Sequence, residues 1–193
     1  MVSEEKVNMS TLTIVGVAVG LAMDAFAVSI ASGVTLKDRK FYNAAKMALW
    51  FGSFQMIMPL IGWASGIKLR GIISGVDHYI AFGLLTIVGL RMIYESARGS
   101  KEYKKTNPFD RNVLLALSIA TSIDALAIGV SFAFLKVSVL EPILTIGAIT
   151  FALSFAGVFA GIKFGQNLGR QMEIVGGVIL IAIGLKILIA HMG

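Results

Sequence analysis

The sequence predicts an all-α, polytopic membrane protein with six transmembrane helices arranged as two inverted three-helix repeats. Three observations carry this. Apolar runs of about 20 residues, the length a spanning helix needs, recur six times along the 193-residue chain. The three runs of the second half match those of the first in order, and three is an odd number, so the second half enters the membrane from the opposite side. Composition agrees: 56% of residues are hydrophobic and 15% charged, with a mean hydropathy of +0.83, too little polar surface for a water-soluble domain. The absence of cysteine excludes disulfides and thiolate metal sites. The net charge of +6 gathers in particular loops, which reads as membrane orientation and not as a nucleic-acid surface. Residues Met1 to Asn8, with Glu4, Glu5 and Lys6, do not resemble a cleavable targeting segment.

The first run, about Ser10 to Val34, carries Met23-Asp24-Ala25-Phe26-Ala27 near its middle. An ionisable group at that depth is costly to desolvate, so it marks a function and needs a partner. Gly16 and Gly20 share the face of Asp24, and small residues so spaced admit a neighbouring backbone. The charged turn Lys37-Asp38-Arg39-Lys40 ends the run.

The second run, about Phe41 to Ile67, contains Gln55 and Pro59. Proline removes a backbone donor and crowds the carbonyl four residues earlier, here that of Gln55. Either that level offers side-chain and backbone oxygen to a ligand, or the helix is simply kinked around a packed glutamine. The third run, about His78 to Tyr94, closes with Arg91 and Glu95, four apart and able to pair along one face as an interfacial anchor. His78, at its other end, reads as a wet interfacial histidine. The polar stretch Ser96 to Arg111 then separates a first repeat, residues 1–95, from a second, 112–193; the linker, 96–111, is expected in the cytoplasm.

The fourth run, about Asn112 to Leu135, carries Ile123-Asp124-Ala125-Leu126-Ala127 and so repeats the first. The fifth, about Val139 to Phe164, has Ser154 where the second has Gln55, and Gly161 and Gly165 where the second has Gly62 and Gly66. The sixth, about Met172 to His191, has Gly184-Leu185-Lys186 where the third has Gly89-Leu90-Arg91. Inverted repeats of this kind commonly place a substrate site near the midplane, where the halves meet; the symmetry brings Asp24 and Asp124 together. The first, third and fifth loops hold Lys37, Arg39, Lys40, Arg98, Lys101, Lys104, Lys105, Arg111, Lys163 and Arg170, against Lys6, Lys68, Arg70 and Lys136 on the other side. That bias puts the odd loops in the cytoplasm and both termini outside.

These residues resemble the MntP family of bacterial manganese efflux pumps from about Thr11 to the C-terminus. The resemblance is carried by Met23-Asp24-Ala25-Phe26-Ala27, by Phe51-Gly52, Gln55 and Met58-Pro59-Leu60-Ile61-Gly62-Trp63, by Arg91-Met92-Ile93 with Glu95, by Ala120-Thr121-Ser122-Ile123-Asp124-Ala125, and by Glu173-Ile174 with Gly176-Gly177. It implies manganese export across the cytoplasmic membrane. The chemistry agrees with that class. Manganese(II) takes hard oxygen ligands, and the membrane core offers Asp24, Asp124, Gln55, Ser29, Thr121, Ser122 and Ser154. Met23, Met56 and Met58 read as packing residues and not as a copper(I) site.

Two close buried carboxylates cannot both ionise cheaply and would titrate as a coupled unit. A divalent ion with two carboxylates sums to zero charge, as do two protonated carboxyls, so exchange of one ion for two protons is expected. The expected protein is thus a secondary transporter without cofactor, whose partners are manganese(II), protons and the lipid bilayer. Export of another cation or a small solute, structural aspartates holding a bundle together, or an intramembrane aspartyl protease are the competing readings, and whether the chain forms a homo-oligomer is open.

Overall fold

Ser10 and Asp110 stand at matching places in the two halves, and each starts a helix of 24 residues, α1 (Thr11–Val34) and α4 (Arg111–Phe134). The structure, a computed structural model, describes residues 9–36, 38–70, 77–97 and 107–164 and scattered helical positions between 171 and 189. The Ser10 hydroxyl accepts a hydrogen bond from the Thr13 amide at 3.3 Å, and Asp110 Oδ1 accepts from the Asn112 amide at 3.0 Å. Both side chains satisfy donors that the first helical turn leaves over. At its other end α4 stops on Lys136, whose φ of 56° is left-handed. The Val137 amide donates to the Phe132 carbonyl and the Lys136 amide to that of Ala133, the double closure of a Schellman motif.

Between these helices run α2 (Lys40–Arg70) and α3 (Asp77–Ala97), and α5 (Leu140–Phe164) follows α4. Among the described residues α1, α2, α4 and α5 contain stretches long and apolar enough to cross a membrane. The third expected run forms α3, and the sixth lies largely outside the described residues, although its described positions from 171 onward are helical. The side chains of His78 and Glu95, the linker residues 98–106 and Lys186 also lie outside them. The described residues contain no strand.

Two apolar clusters show how the helices run. One gathers Val17 and Leu21 of α1, Ile128 and Phe132 of α4 with Leu135 and Val137 just beyond it, and Ile146 of α5. The other gathers Ala44, Met47 and Phe51 of α2, Phe109 before α4 with Leu114 and Leu117 inside it, and Val158 of α5. Thus α1 and α5 run from the first cluster to the second, and α2 and α4 run back. The Lys46 ammonium reinforces the second end by donating to the Phe109 carbonyl at 2.7 Å.

Among the described residues the main packing pairs are α1 with α5, α2 with α4, and α2 with α5, while α3 rests chiefly on α4. Exchanging α1 with α4 and α2 with α5 turns the first of these pairs into the second and leaves the third unchanged. Apolar burial drives little association between helices in lipid, so close approach of small residues carries more of it. Gly62 of α2 lies so near α4 that a methyl group there would fall on the Leu126 carbonyl, and Gly161 of α5 meets the Ile30 carbonyl of α1 in the same way. These glycines occupy corresponding positions in the two halves. At the periphery of α1, Ile183 covers Gly16.

Candidate ion site

Between the two apolar clusters each of the four principal helices carries polar groups. In α1, Asp24 falls between Met23 of the first cluster and Ala25 of the second; in α2, Gln55 follows Phe51 of the second and precedes Met58, which packs on the first. In α4, Thr121, Ser122 and Asp124 lie between Leu117 and Ala125, and in α5, Thr150 and Ser154 lie between Ile146 and Val158. Gln55, Ser118, Ser122, Thr150 and Ser154 are completely inaccessible, and Thr121 and Asp124 are buried. Asp24 is partly buried. The result is a polar layer at mid-helix, closed above and below by side chains such as Phe51, Leu21 and Ile146.

Hydrogen bonding divides the layer. Ser29 donates to the Ala25 carbonyl at 2.7 Å, Ser122 to Ser118 at 2.6 Å, and Thr121 to Leu117 at 3.0 Å. Each of these hydroxyls returns its proton to its own helix, which satisfies the donor and leaves the oxygen lone pairs available. Gln55 reaches across to α1, where its Nε2 donates to the Leu21 carbonyl at 3.2 Å. Its Oε1 has no protein partner, nor do the hydroxyls of Ser118, Thr150 and Ser154. Leaving a buried polar group unsatisfied costs about 1–3 kcal/mol, so four in one layer represent a large destabilisation unless water or a cation meets them.

The charge of the layer is managed by a residue on a different helix. Arg91 of α3 places Nη1 2.8 Å from Oδ1 of Asp124, and its side chain is 37% exposed against 6% for the carboxylate. The bond is charge-assisted and its cation permanent, since a guanidinium does not deprotonate in proteins. Sequence reasoning assigns Arg91 to an interfacial anchor with Glu95 and misses this contact. A signal was available: Arg91 and Lys186 occupy matching places in the two halves, so a cation recurs at one height in both. Thr150 and Ser118, also absent from the expected ligand set, are ordinary-looking hydroxyls whose burial depends on how α4 and α5 pack.

Of the seven residues proposed as ligands, Gln55, Thr121, Ser122, Asp124 and Ser154 are buried in this layer, Asp24 lies at the same level on α1, and Ser29 lies beyond Asp24 toward the second cluster. Among the described residues no three carboxylate, imidazole or thiol groups converge. A cation here would therefore be held by one or two carboxylates supplemented by amide, hydroxyl and backbone oxygens, a donor set suited to hard divalent ions.

Comparison with known proteins bears on which ion. A family described as "Putative manganese efflux pump" matches residues 38–188. A protein of Gloeothece citriformis named "Putative manganese efflux pump MntP" is 54% identical over 185 residues, covering 96% of this chain and 98% of the relative. Its counterpart in Rippkaea orientalis is 51% identical over 94% of this chain and 97% of its own length, and that of the archaeon Methanosarcina mazei 47% identical over 95% and 98%. No solved structure matches the chain. With the family matched over most of its length and relatives near half identity, the chain belongs to the MntP family.

Proposed function

We propose that this protein exports manganese(II) from the cytoplasm across the bacterial cell membrane, as a secondary carrier that exchanges the ion for protons at a layer centred on Asp24 and Asp124. The observation that carries the reading is the buried polar layer itself, in which partnerless oxygens lie at the level of two carboxylates between sealed apolar clusters. Family membership adds the ion, because the relatives are named for manganese efflux. The donor set is consistent with that ion, being rich in hard oxygen and without cysteine.

Alternating access follows from the repeat reading. The opposed directions of α1 and α4, and the exchange of the α1–α5 pair for the α2–α4 pair, support two inverted repeats whose halves meet at the layer. Rocking one packed pair against the other would then open the site first to one side and then to the other. The basic residues of the odd loops orient the carrier with both termini outside. Two carboxylates with one divalent ion form a neutral unit that crosses the low-dielectric interior without a bare charge, and proton uptake restores neutrality on the return step. The protease reading loses support, because Asp124 is engaged by Arg91 whereas an aspartyl dyad shares a proton between its two carboxyls.

The test is metal flux into proteoliposomes, with manganese compared against calcium, zinc and iron(II). Selective manganese flux that accelerates under an imposed pH gradient is expected. Flux indifferent to the gradient would refute proton exchange, and flux of another cation in preference to manganese would reassign the substrate.

A further inference from the structure

We infer that Arg91 is a tethered competitor of the transported cation: its guanidinium neutralises Asp124 in the ion-free carrier and leaves that carboxylate when the ion arrives. The inference rests on the manganese reading of the layer and assigns that site a positioning residue which the expected ligand set lacks.

The geometry supplies the argument. Asp124 is almost fully buried and its Oδ1 is held at 2.8 Å by Arg91 Nη1. A carboxylate at that depth needs a countercharge, and the arginine supplies one that protonation equilibria cannot remove. A divalent ion bound to the same carboxylate would lie close to the guanidinium, and in a poorly screened interior such like charges repel strongly. Full occupation of the site by both cations is therefore unfavourable. Of the two, Arg91 is the one that can yield. Its side chain is more than a third exposed, and it hangs from α3, which among the described residues rests chiefly on α4. Its long stem can carry the guanidinium to the interface while the alkyl part stays in apolar surroundings.

Competition of this kind has a definite thermodynamic consequence. Apparent affinity is lowered by the fraction of protein in which the carboxylate is free of arginine. The same contact speeds release, because the returning guanidinium replaces the departing ion. One of the two charges brought by a divalent ion is thus balanced, in the empty carrier, by the protein itself, and proton exchange has only the remainder to cover.

The experiment titrates detergent-purified protein with manganese(II) chloride at alkaline pH and follows free ion by electron paramagnetic resonance, with flux measured in parallel in proteoliposomes. Arg91→Gln is expected to bind on the order of tenfold more tightly, the gain if the pair is about 90% formed, yet to turn over more slowly, so that KM and maximal rate fall together. Arg91→Lys, which keeps the charge, is expected to stay near wild type in both. Loss of flux with unchanged or weakened binding in Arg91→Gln would make the arginine merely structural and overturn the inference. Should that variant not fold, the native protein decides: saturating manganese is expected to increase phenylglyoxal labelling of Arg91 relative to the other arginines, and unchanged or reduced labelling would overturn the inference. Wild-type protein that binds no manganese would instead refute the functional reading on which the inference stands.

Discussion

Gln55 donates its amide to the backbone carbonyl of Leu21, three residues before Asp24, and leaves its own Oε1 buried without a protein partner. One hydrogen bond thereby ties α2 to α1 at the level of the carboxylates, and one acceptor is held ready at the same place. On the proposed function, this arrangement gives up stability for ion binding.

That balance can be measured with Gln55→Leu. The change removes a hydrogen bond worth about 1 kcal/mol net and relieves an unsatisfied oxygen that costs about 1–3 kcal/mol. Unfolding stability without manganese is expected to stay level or rise, while manganese flux falls. A variant that lost stability and kept full flux would show the glutamine to be a packing residue.

The two aspartates can be tested through their amides. Asp24→Asn and Asp124→Asn are both expected to abolish selective manganese flux. Asp124→Asn also strips Arg91 of its carboxylate. Breaking a fully buried pair costs about 3–5 kcal/mol, but Arg91 is 37% exposed, so a loss of about 1–2 kcal/mol is expected. Thermal unfolding of the variants checks the cost, and flux that survived both changes would return the aspartates to a structural role.

Helix contacts can be probed with three alanines. At Gly62 and Gly161 the added methyl would fall on the carbonyls of Leu126 and Ile30. Each change should force the helices apart at a cost of about 1–3 kcal/mol. Gly83 in α3 has open space where the methyl would go, and there the helix preference for alanine predicts a gain of about 0.5–1 kcal/mol. Equal effects at all three positions, read by unfolding in detergent, would contradict the interfaces described.

Lys136 ends α4 with a φ of 56°, a conformation that glycine adopts without the steric cost borne by other residues. Relief of that strain, about 1–2 kcal/mol, outweighs the unfolded-chain entropy that glycine adds, about 0.4–1 kcal/mol, so Lys136→Gly is expected to stabilise the protein by about 0.5–1 kcal/mol. An unchanged or lowered unfolding temperature would mean that the lysine makes a compensating contact.

Much of this protein is legible without its tertiary structure. Helix starts near Ser10 and Asn112, and helix ends within a few residues of Val34, Arg70, Ala97, Phe134 and Phe164, follow from apolar length and charged turns. Asp24, Gln55 and Asp124 announce themselves because polar groups are scarce and expensive in apolar runs. The repeat reading rests on similar residues that recur at like spacing in the two halves. Local pattern therefore accounts for the five helices α1 to α5, their apolar character and the height of each polar group along them.

Which polar groups meet depends on how the helices pack. Arg91 lies 33 positions from Asp124 in the chain, and nothing local distinguishes an arginine that anchors a helix in the interface from one that reaches a neighbouring helix. That choice depends on the rotation of α3 against α4, set by packing along the whole length of both. The same holds for Thr150, Ser154 and Gln55 Oε1. Their lack of partners arises from the pairing of α2 with α4 and α5 and of α1 with α5, which buries them beside apolar side chains and other acceptors. Composition along a helix sets how deep a group lies; interhelical geometry sets what it touches.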